Sequence, residues 1–131
     1  MSIVLKHPTV EAVLAIHAAV LDAHGGSSGL RSRELLESAV AAPQATMMGL
    51  PMISEAVEIA AAYLFYLCGN QAFVDGNKRV ALATCLIFLS ENGLLQEEEL
   101  DPDAWEKLTL AVAAGVLRRD EVSTILRKLV M

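Results

Sequence analysis

A polar loop between two long apolar segments constrains the fold of this chain more than any other feature. Residues 69–79 read GNQAFVDGNKR, preceded by residues 56–68 (AVEIAAAYLFYLC) and followed by residues 80–90 (VALATCLIFLS). Both flanking segments are apolar nearly all round, which predicts two helices buried on most sides. The fold must therefore hold charged residues between two elements of its core.

The charge distribution indicates what such a loop is for. Lys78 and Arg79 are the only cationic residues between Glu34 and Glu106, and they stand side by side in the loop. Lysine supplies a point charge, and the planar guanidinium of arginine can bind two phosphate oxygens at once. We therefore predict that the loop binds an anion, most simply a phosphate.

The neighbouring residues suit the same chemistry. Gly76 permits backbone conformations in which amide groups converge on an anion, and the helix that follows adds unpaired N–H groups and partial positive charge. Asn77 can cap that helix or donate to a phosphate oxygen, and Asp75 is a hard oxygen ligand suited to Mg²⁺. Phe73 is expected to anchor the loop in the core. The alternative is a plain turn in which Asp75 and Asn77 make local bonds and the two cations extend to the surface.

Composition limits the class of protein. The chain has 131 residues, 54% of them hydrophobic and 20% charged, which is enough for one domain spanning residues 1–131. A formal net charge of −6 argues against direct binding of nucleic acid. Cys68 and Cys85 both fall in apolar helical segments, which is typical of buried, reduced thiols.

Neither a secretory signal nor a membrane span is expected. The first residues, MSIVLKHPTVEAV, lack a charged region followed by a long apolar one. The longest uncharged runs, residues 38–54 and 59–74, are interrupted by Pro or Gly and by polar residues, so neither supplies the roughly 20 apolar residues that a bilayer requires. These patterns favour a cytoplasmic protein.

Periodicity and capping residues predict six helices and no strand, and so an all-α bundle with the two apolar helices at its centre. An acidic run at residues 96–100 is expected to be a solvated loop. The expected helices are residues 9–24 with Thr9 as N-cap, residues 33–42 with Ser32 as N-cap, a third from an N-cap at Ser54 to about Cys68, a fourth from about Asn77 to Leu89, a fifth from Asp101 and Pro102 to Gly115, and a sixth from about Asp120.

Two features leave alternatives open. His17 falls on the apolar face of the first helix, where a packing histidine held by a hydrogen bond is favoured over a catalytic one. Residues 43–53 (PQATMMGLPMI) have no clean period and contain three of the five methionines. They form either an irregular loop whose methionines fill gaps in the core, or a flap whose methionines contact a peptide or protein.

The loop resembles the signature of the Fic/Doc family. NQAFVDGNKR is similar to H-x-F-x-D-x-N-K-R of the Doc branch and to H-P-F-x-D/E-G-N-G-R of the Fic branch, and Lys78 favours the Doc branch. Residues 16–44 and the segment AAGVLRRDEVSTILRKL also resemble Doc-like toxins, so the likeness covers nearly the whole chain.

This resemblance implies an all-α Fic fold and a toxin of a toxin–antitoxin system, with a Phd-like antitoxin as partner. It implies transfer of the terminal phosphate of ATP to a hydroxyl of elongation factor Tu, which stops translation. Fic enzymes instead transfer AMP, so a protein adenylyltransferase is an alternative. The site residues carried over are Asp75 for Mg²⁺ and Gly76, Asn77, Lys78 and Arg79 for the phosphates.

Gln71 departs from the family pattern, because it stands where the family has its catalytic histidine. Glutamine can orient a hydroxyl by hydrogen bonding but cannot act as a general base. The other histidines, His7, His17 and His24, are distant in sequence. The resemblance therefore leaves two further readings open, an enzyme weakened by Gln71 and an inactive binding protein of the same fold.

Overall fold

The computed structural model describes residues 4–96 and 100–130, and within them the fold is almost entirely helical. Six α-helices are accompanied by a short 3-10 turn, Ala42–Gln44, and one pair of two-residue strands. The all-α prediction is confirmed. The glutamates of the predicted acidic loop, residues 97–99, lie outside the described residues. The helices are α1 (Val10–His24), α2 (Arg33–Ala41), α3 (Ala56–Asn70), α4 (Asn77–Glu91), α5 (Pro102–Ala113) and α6 (Arg119–Val130).

Three helices begin where local capping chemistry predicts. Thr9 and Ser32 each accept a hydrogen bond from a backbone N–H three residues on, and Asp101 accepts from two N–H groups at the start of α5. The expected cap at Ser54 is wrong. Helix α3 begins at Ala56, and its N-cap Glu55 makes no side-chain capping bond. The Glu55 carboxylate pairs instead with Arg127 of α6, a partner distant in sequence.

Helix α3 is the centre of the bundle and packs against α2, α4, α5 and α6. Its residues from Ala60 to Leu64 are completely buried. Three consecutive alanines allow neighbouring helices to approach closely, while Tyr63 and Leu64 fill the space between them. Helix α4 packs on α1, α3 and α5 but leaves a strip exposed that includes Ile87. It is therefore less deeply buried than its sequence predicts.

The N-terminal segment is attached to this core. Tyr63 is fully buried, and its hydroxyl lies 2.6 Å from Nδ1 of His7. Asn92, just after α4, accepts from the backbone N–H of Lys6 at 2.8 Å and donates to its carbonyl at 3.0 Å. His7 is thereby committed to packing at a position unrelated to the polar loop.

Residues 43–53 contain a small hairpin that the sequence pattern does not predict. Thr46–Met47 pairs antiparallel with Leu50–Pro51. Met48 and Gly49 between them have φ angles of 54° and 81°, as a two-residue type I′ turn requires. Met47, Met48 and Met52 are all more than half exposed. The interpretation of these methionines as fillers of the core is wrong.

The two thiols agree with expectation. Cys68 and Cys85 are buried and are not joined in a disulfide. Burial raises the pKa of Cys68 to about 12, so this thiol remains protonated and behaves as a small apolar group. No described helix is both long enough and apolar enough to cross a membrane.

Candidate functional site

The polar loop turns the chain between α3 and α4 through two left-handed residues. Gln71 ends α3 with φ 48° and ψ 53°, and Gly76 precedes α4 with φ 83° and ψ 12°. Glycine adopts this conformation freely, whereas for glutamine it costs roughly 1–2 kcal/mol. Strain at a non-glycine residue persists only where its surroundings fix it. The contacts around Gln71 are therefore informative.

A second segment, residues 26–32, lies antiparallel against the loop, and we call it the strap. It contacts the loop at successive positions, which holds the loop in one shape. In order, Ser27 N–H donates to Oδ2 of Asp75 (3.1 Å), Val74 N–H donates to the carbonyl of Gly29 (3.0 Å), Leu30 forms a β-bridge with Phe73, and the N–H groups of Arg31 and Ser32 both donate to the carbonyl of Ala72 (2.7 and 3.0 Å).

The side chain of Arg31 completes this contact. Its Nε donates to the carbonyl of Gln71 at 2.9 Å, and its Nη2 donates to the carbonyl of Asn70 at 3.1 Å. These groups lie at the C-terminal end of α3, where carbonyls lack helical partners and the helix dipole favours a cation. Sequence reasoning missed Arg31. The available signal was a cation placed just after a glycine-rich turn.

His17 supports the loop from beneath. Its Nε2 lies 2.9 Å from the carbonyl oxygen of Asp75, and because a carbonyl only accepts, Nε2 carries the proton and donates. Its ring stacks on Phe73 with the centroids 3.9 Å apart and the planes at 11°. Both side chains are buried. The predictions of a packing histidine and of Phe73 as an anchor are confirmed.

Asn77 holds the loop from within. Its Oδ1 accepts from the N–H of Phe73 at 3.0 Å, and its Nδ2 donates to the carbonyl of Phe73 at 2.9 Å. Of the two roles that the sequence left open for Asn77, capping of α4 is wrong, because Gly76 is the N-cap and no side chain caps this helix. The side-chain amide is committed to the loop, which leaves the backbone N–H of Asn77 for an anion.

Asp75 presents an ionised carboxylate at the surface. Its Oδ2 accepts from Ser27 N–H, and its Oδ1 accepts from Gly76 N–H at 2.8 Å. These two bonds, together with the positive charge of Arg79, hold the pKa of Asp75 below its usual value. Among the described residues no cluster of three metal-ligating side chains occurs. A single carboxylate is nevertheless what Mg²⁺ needs when phosphates and water supply its other ligands.

The first turn of α4 provides positive charge beside this carboxylate. Lys78 and Arg79 are exposed, and neither forms a salt bridge with a described residue. The first intrahelical bond is from Val80 N–H to the carbonyl of Gly76, so the preceding N–H groups point out of the helix start. The fold thus brings Asp75, Gly76, Asn77, Lys78 and Arg79 together, and Gln71 lies at the other end of the same loop, also exposed.

Comparison with known proteins shows which family the chain belongs to. The family model described as "Fic/DOC family" matches residues 7–89, which includes α1, the strap, the hairpin and the whole loop. The chain belongs to the Fic/DOC family. The resemblance read from the motif is thereby confirmed.

Two curated relatives of this Fic/DOC protein cover most of its length. "Toxin Doc" of Mycolicibacterium smegmatis is 40% identical over 101 residues, covering 77% of this chain and 78% of the relative. "Protein kinase doc" of Escherichia phage P1 is 30% identical over 125 residues, covering 95% of this chain and 96% of the relative. This Fic/DOC chain is therefore similar to Doc proteins beyond the motif itself.

Proposed function

We propose that this protein is a Doc-like toxin that transfers the terminal phosphate of ATP to a hydroxyl group of a protein. The observation that carries the proposal is the group at residues 75–79, where an ionised carboxylate stands beside two cations and a helix start. Similarity to proteins named as a Doc toxin and a Doc protein kinase supports the same reaction.

Different groups of the loop would bind the phosphates and the Mg²⁺ of a nucleotide. The backbone N–H groups at the start of α4 and the side chains of Lys78 and Arg79 would bind the phosphate oxygens. Asp75 would hold Mg²⁺, which when bound neutralises charge on the phosphates. Asp75 fits this role because its pKa is lowered and its oxygens accept only two backbone bonds, so lone pairs remain.

Gln71 would orient the incoming hydroxyl by hydrogen bonding. It cannot remove the proton, and general-base assistance typically contributes about 10²–10⁴ in rate. Phosphoryl transfer depends chiefly on positioning and charge stabilisation, so the reaction proceeds more slowly without a base. In this proposal the hydroxyl proton passes to water, and ADP leaves as its bond to the terminal phosphate breaks.

We further propose elongation factor Tu as the protein substrate and a Phd-like antitoxin as the partner, as the resemblance of the motif to Doc-like toxins implies. The hairpin offers a contact surface for a protein, since Met47, Met48, Leu50 and Met52 are between 61% and 97% exposed. Methionine side chains adapt to different apolar partners. Inhibition of translation would follow from modification of the elongation factor in the cytoplasm.

One observation favours a second candidate, an inactive binding protein. Gln71 lacks the acid–base chemistry of the histidine that the family motif carries at this position. A protein that kept residues 75–79 but lost the base would bind nucleotide and partner without turnover.

The decisive experiment uses ATP labelled at the γ- or the α-phosphate. The purified protein is incubated with elongation factor Tu and Mg²⁺, alongside Arg79→Ala and the control Arg33→Ala, which changes an exposed arginine on α2. We expect γ-label to reach the elongation factor with the wild type and the control, and not with Arg79→Ala. Transfer of α-label would identify an adenylyltransferase. Nucleotide binding by calorimetry without transfer of either label would identify the binding protein.

The same variants are tested for toxicity. Expression in a bacterial host without an antitoxin should arrest growth for the wild type and for Arg33→Ala but not for Arg79→Ala. Co-expression of a Phd-like protein should restore growth. Normal growth with all three proteins would contradict a toxin role.

A further inference from the structure

The strained backbone at Gln71 is held from outside the loop. Gln71 is one of two non-glycine residues with positive φ among the described residues, and the other, Met48, lies in the hairpin turn. Nothing local in the sequence requires a left-handed residue at Gln71. Arg31 donates hydrogen bonds to three successive carbonyls here, those of Asn70, Gln71 and Ala72.

We propose that Arg31 is a positioning residue that sets the direction of side chain 71 for transfer to the protein hydroxyl. The backbone N–H of Arg31 fixes Ala72, and its guanidinium fixes Asn70 and Gln71. Because the Cα–Cβ direction follows from the backbone angles, fixing three successive carbonyls fixes where side chain 71 leaves the chain. The expected effect of Arg31 on phosphate transfer rests on the proposed function, whereas its effect on the backbone at position 71 does not.

Other contacts hold the phosphate side of the loop without Arg31. Ser27 and Gly76 bind the carboxylate of Asp75, His17 binds its carbonyl, and Asn77 binds Phe73. The two ends of the loop are therefore fixed by different residues. Loss of the Arg31 side chain should disturb position 71 and leave nucleotide binding intact.

Substitution of Arg31 should also leave the fold intact. Its side chain is exposed, so water can satisfy the carbonyls of Asn70 and Gln71 when the guanidinium is removed. The backbone bonds from residues 31 and 32 to Ala72 remain in any variant, as does the bond from the Asn70 side chain to the carbonyl of Leu35. Arg31→Gln, which keeps a shorter polar side chain, and Arg31→Lys, which keeps the charge but can satisfy fewer carbonyls, are the variants of choice.

The first test measures geometry and needs no activity. In isotope-labelled protein, NMR backbone shifts and the amide–Hα coupling of Gln71 should report positive φ in the wild type and in the control Arg33→Gln. In Arg31→Gln we expect these signals to move toward the values of an averaged loop, with an intermediate change in Arg31→Lys. Unchanged signals in Arg31→Gln would overturn the proposal, whether or not any variant transfers phosphate.

The second test measures coupling between Arg31 and position 71. With Arg31 present, Gln71→His should raise transfer tenfold or more, since general-base assistance typically contributes about 10²–10⁴ in rate. With Arg31→Gln, we expect the gain to fall to about twofold or less, with calorimetric affinity for ATP unchanged. An equal gain from histidine in both backgrounds would mean that Arg31 only supports the fold, and would overturn a positioning role. Absence of transfer in every variant would refute the proposed function, and the NMR result would still decide whether Arg31 sets the loop.

Discussion

Replacement of Asn77 by alanine tests whether the side chain of this motif residue stabilises the loop or binds the ligand. The side chain makes two hydrogen bonds to Phe73, at 3.0 and 2.9 Å, in a partly buried setting. A neutral hydrogen bond contributes about 1 kcal/mol net, so their loss should cost about 2 kcal/mol. An unfolding entropy of roughly 2.1 cal/mol/K per residue over 131 residues makes 1 kcal/mol equivalent to about 3.6 °C. We therefore expect Asn77→Ala to melt about 7 °C below the wild type.

The measurement is thermal unfolding by circular dichroism without nucleotide, with Lys78→Ala as the matched control. Lys78 is the next residue, is exposed and forms no salt bridge with a described residue, so its substitution should change stability by less than about 0.5 kcal/mol, or about 2 °C. Calorimetry should show the complementary pattern, because Lys78→Ala removes a charge that binds phosphate. Equal melting temperatures for the two variants would refute the assignment of the Asn77 side chain to the loop.

Three further predictions follow from the site, the N-terminal segment and the hairpin. Gln71→His should raise phosphate transfer to elongation factor Tu by an order of magnitude or more, and an unchanged rate would mean that the missing base is not the limiting defect. Burial lowers the pKa of His7, so as pH falls below 6.5 the unfolded chain takes up a proton that the folded chain does not. The free energy of unfolding should therefore decrease with acidification more steeply in the wild type than in His7→Asn, and parallel pH dependences in chemical denaturation would contradict this. Met47→Ser with Met48→Ser should raise KM for the protein substrate without changing the melting temperature, since both side chains are exposed; an unchanged KM would exclude the hairpin as the docking surface.

Local patterns were sufficient for most of the helices. Thr9, Ser32 and Asp101 mark helix starts because a capping bond joins residues only two or three positions apart. The pattern failed at Ser54, since α3 begins two residues later and the Glu55 carboxylate pairs with Arg127 of a helix at the far end of the chain. It failed again at the hairpin, because strands of two residues are too short to show alternation.

The candidate site also has features that local sequence predicts and features that it does not. The grouping of Asp75, Lys78 and Arg79 could be predicted because these residues are neighbours in sequence, and their binding of metal and phosphate stays a prediction. The commitment of Asn77 to Phe73 could have been suspected from their spacing of four residues, but the sequence also allowed a cap or a phosphate contact. The contacts of Arg31 with the end of α3 had only a weak signal, a cation after a glycine-rich turn, because Arg31 lies 40 residues from Gln71.

The sequence by itself determined that a charged loop joins two apolar helices and that the chain resembles a recognisable family, and it predicted that Gln71 stands where that family has a histidine. These properties depend on residue identity and on spacing within a few turns. Only the tertiary structure decided how the loop is held, by the strap on one side and His17 beneath it, and which of its polar groups remain free for a ligand. The physical reason is that a backbone carbonyl or N–H group has the same chemistry in every residue. Its hydrogen-bond partner therefore depends on how segments distant in sequence pack together.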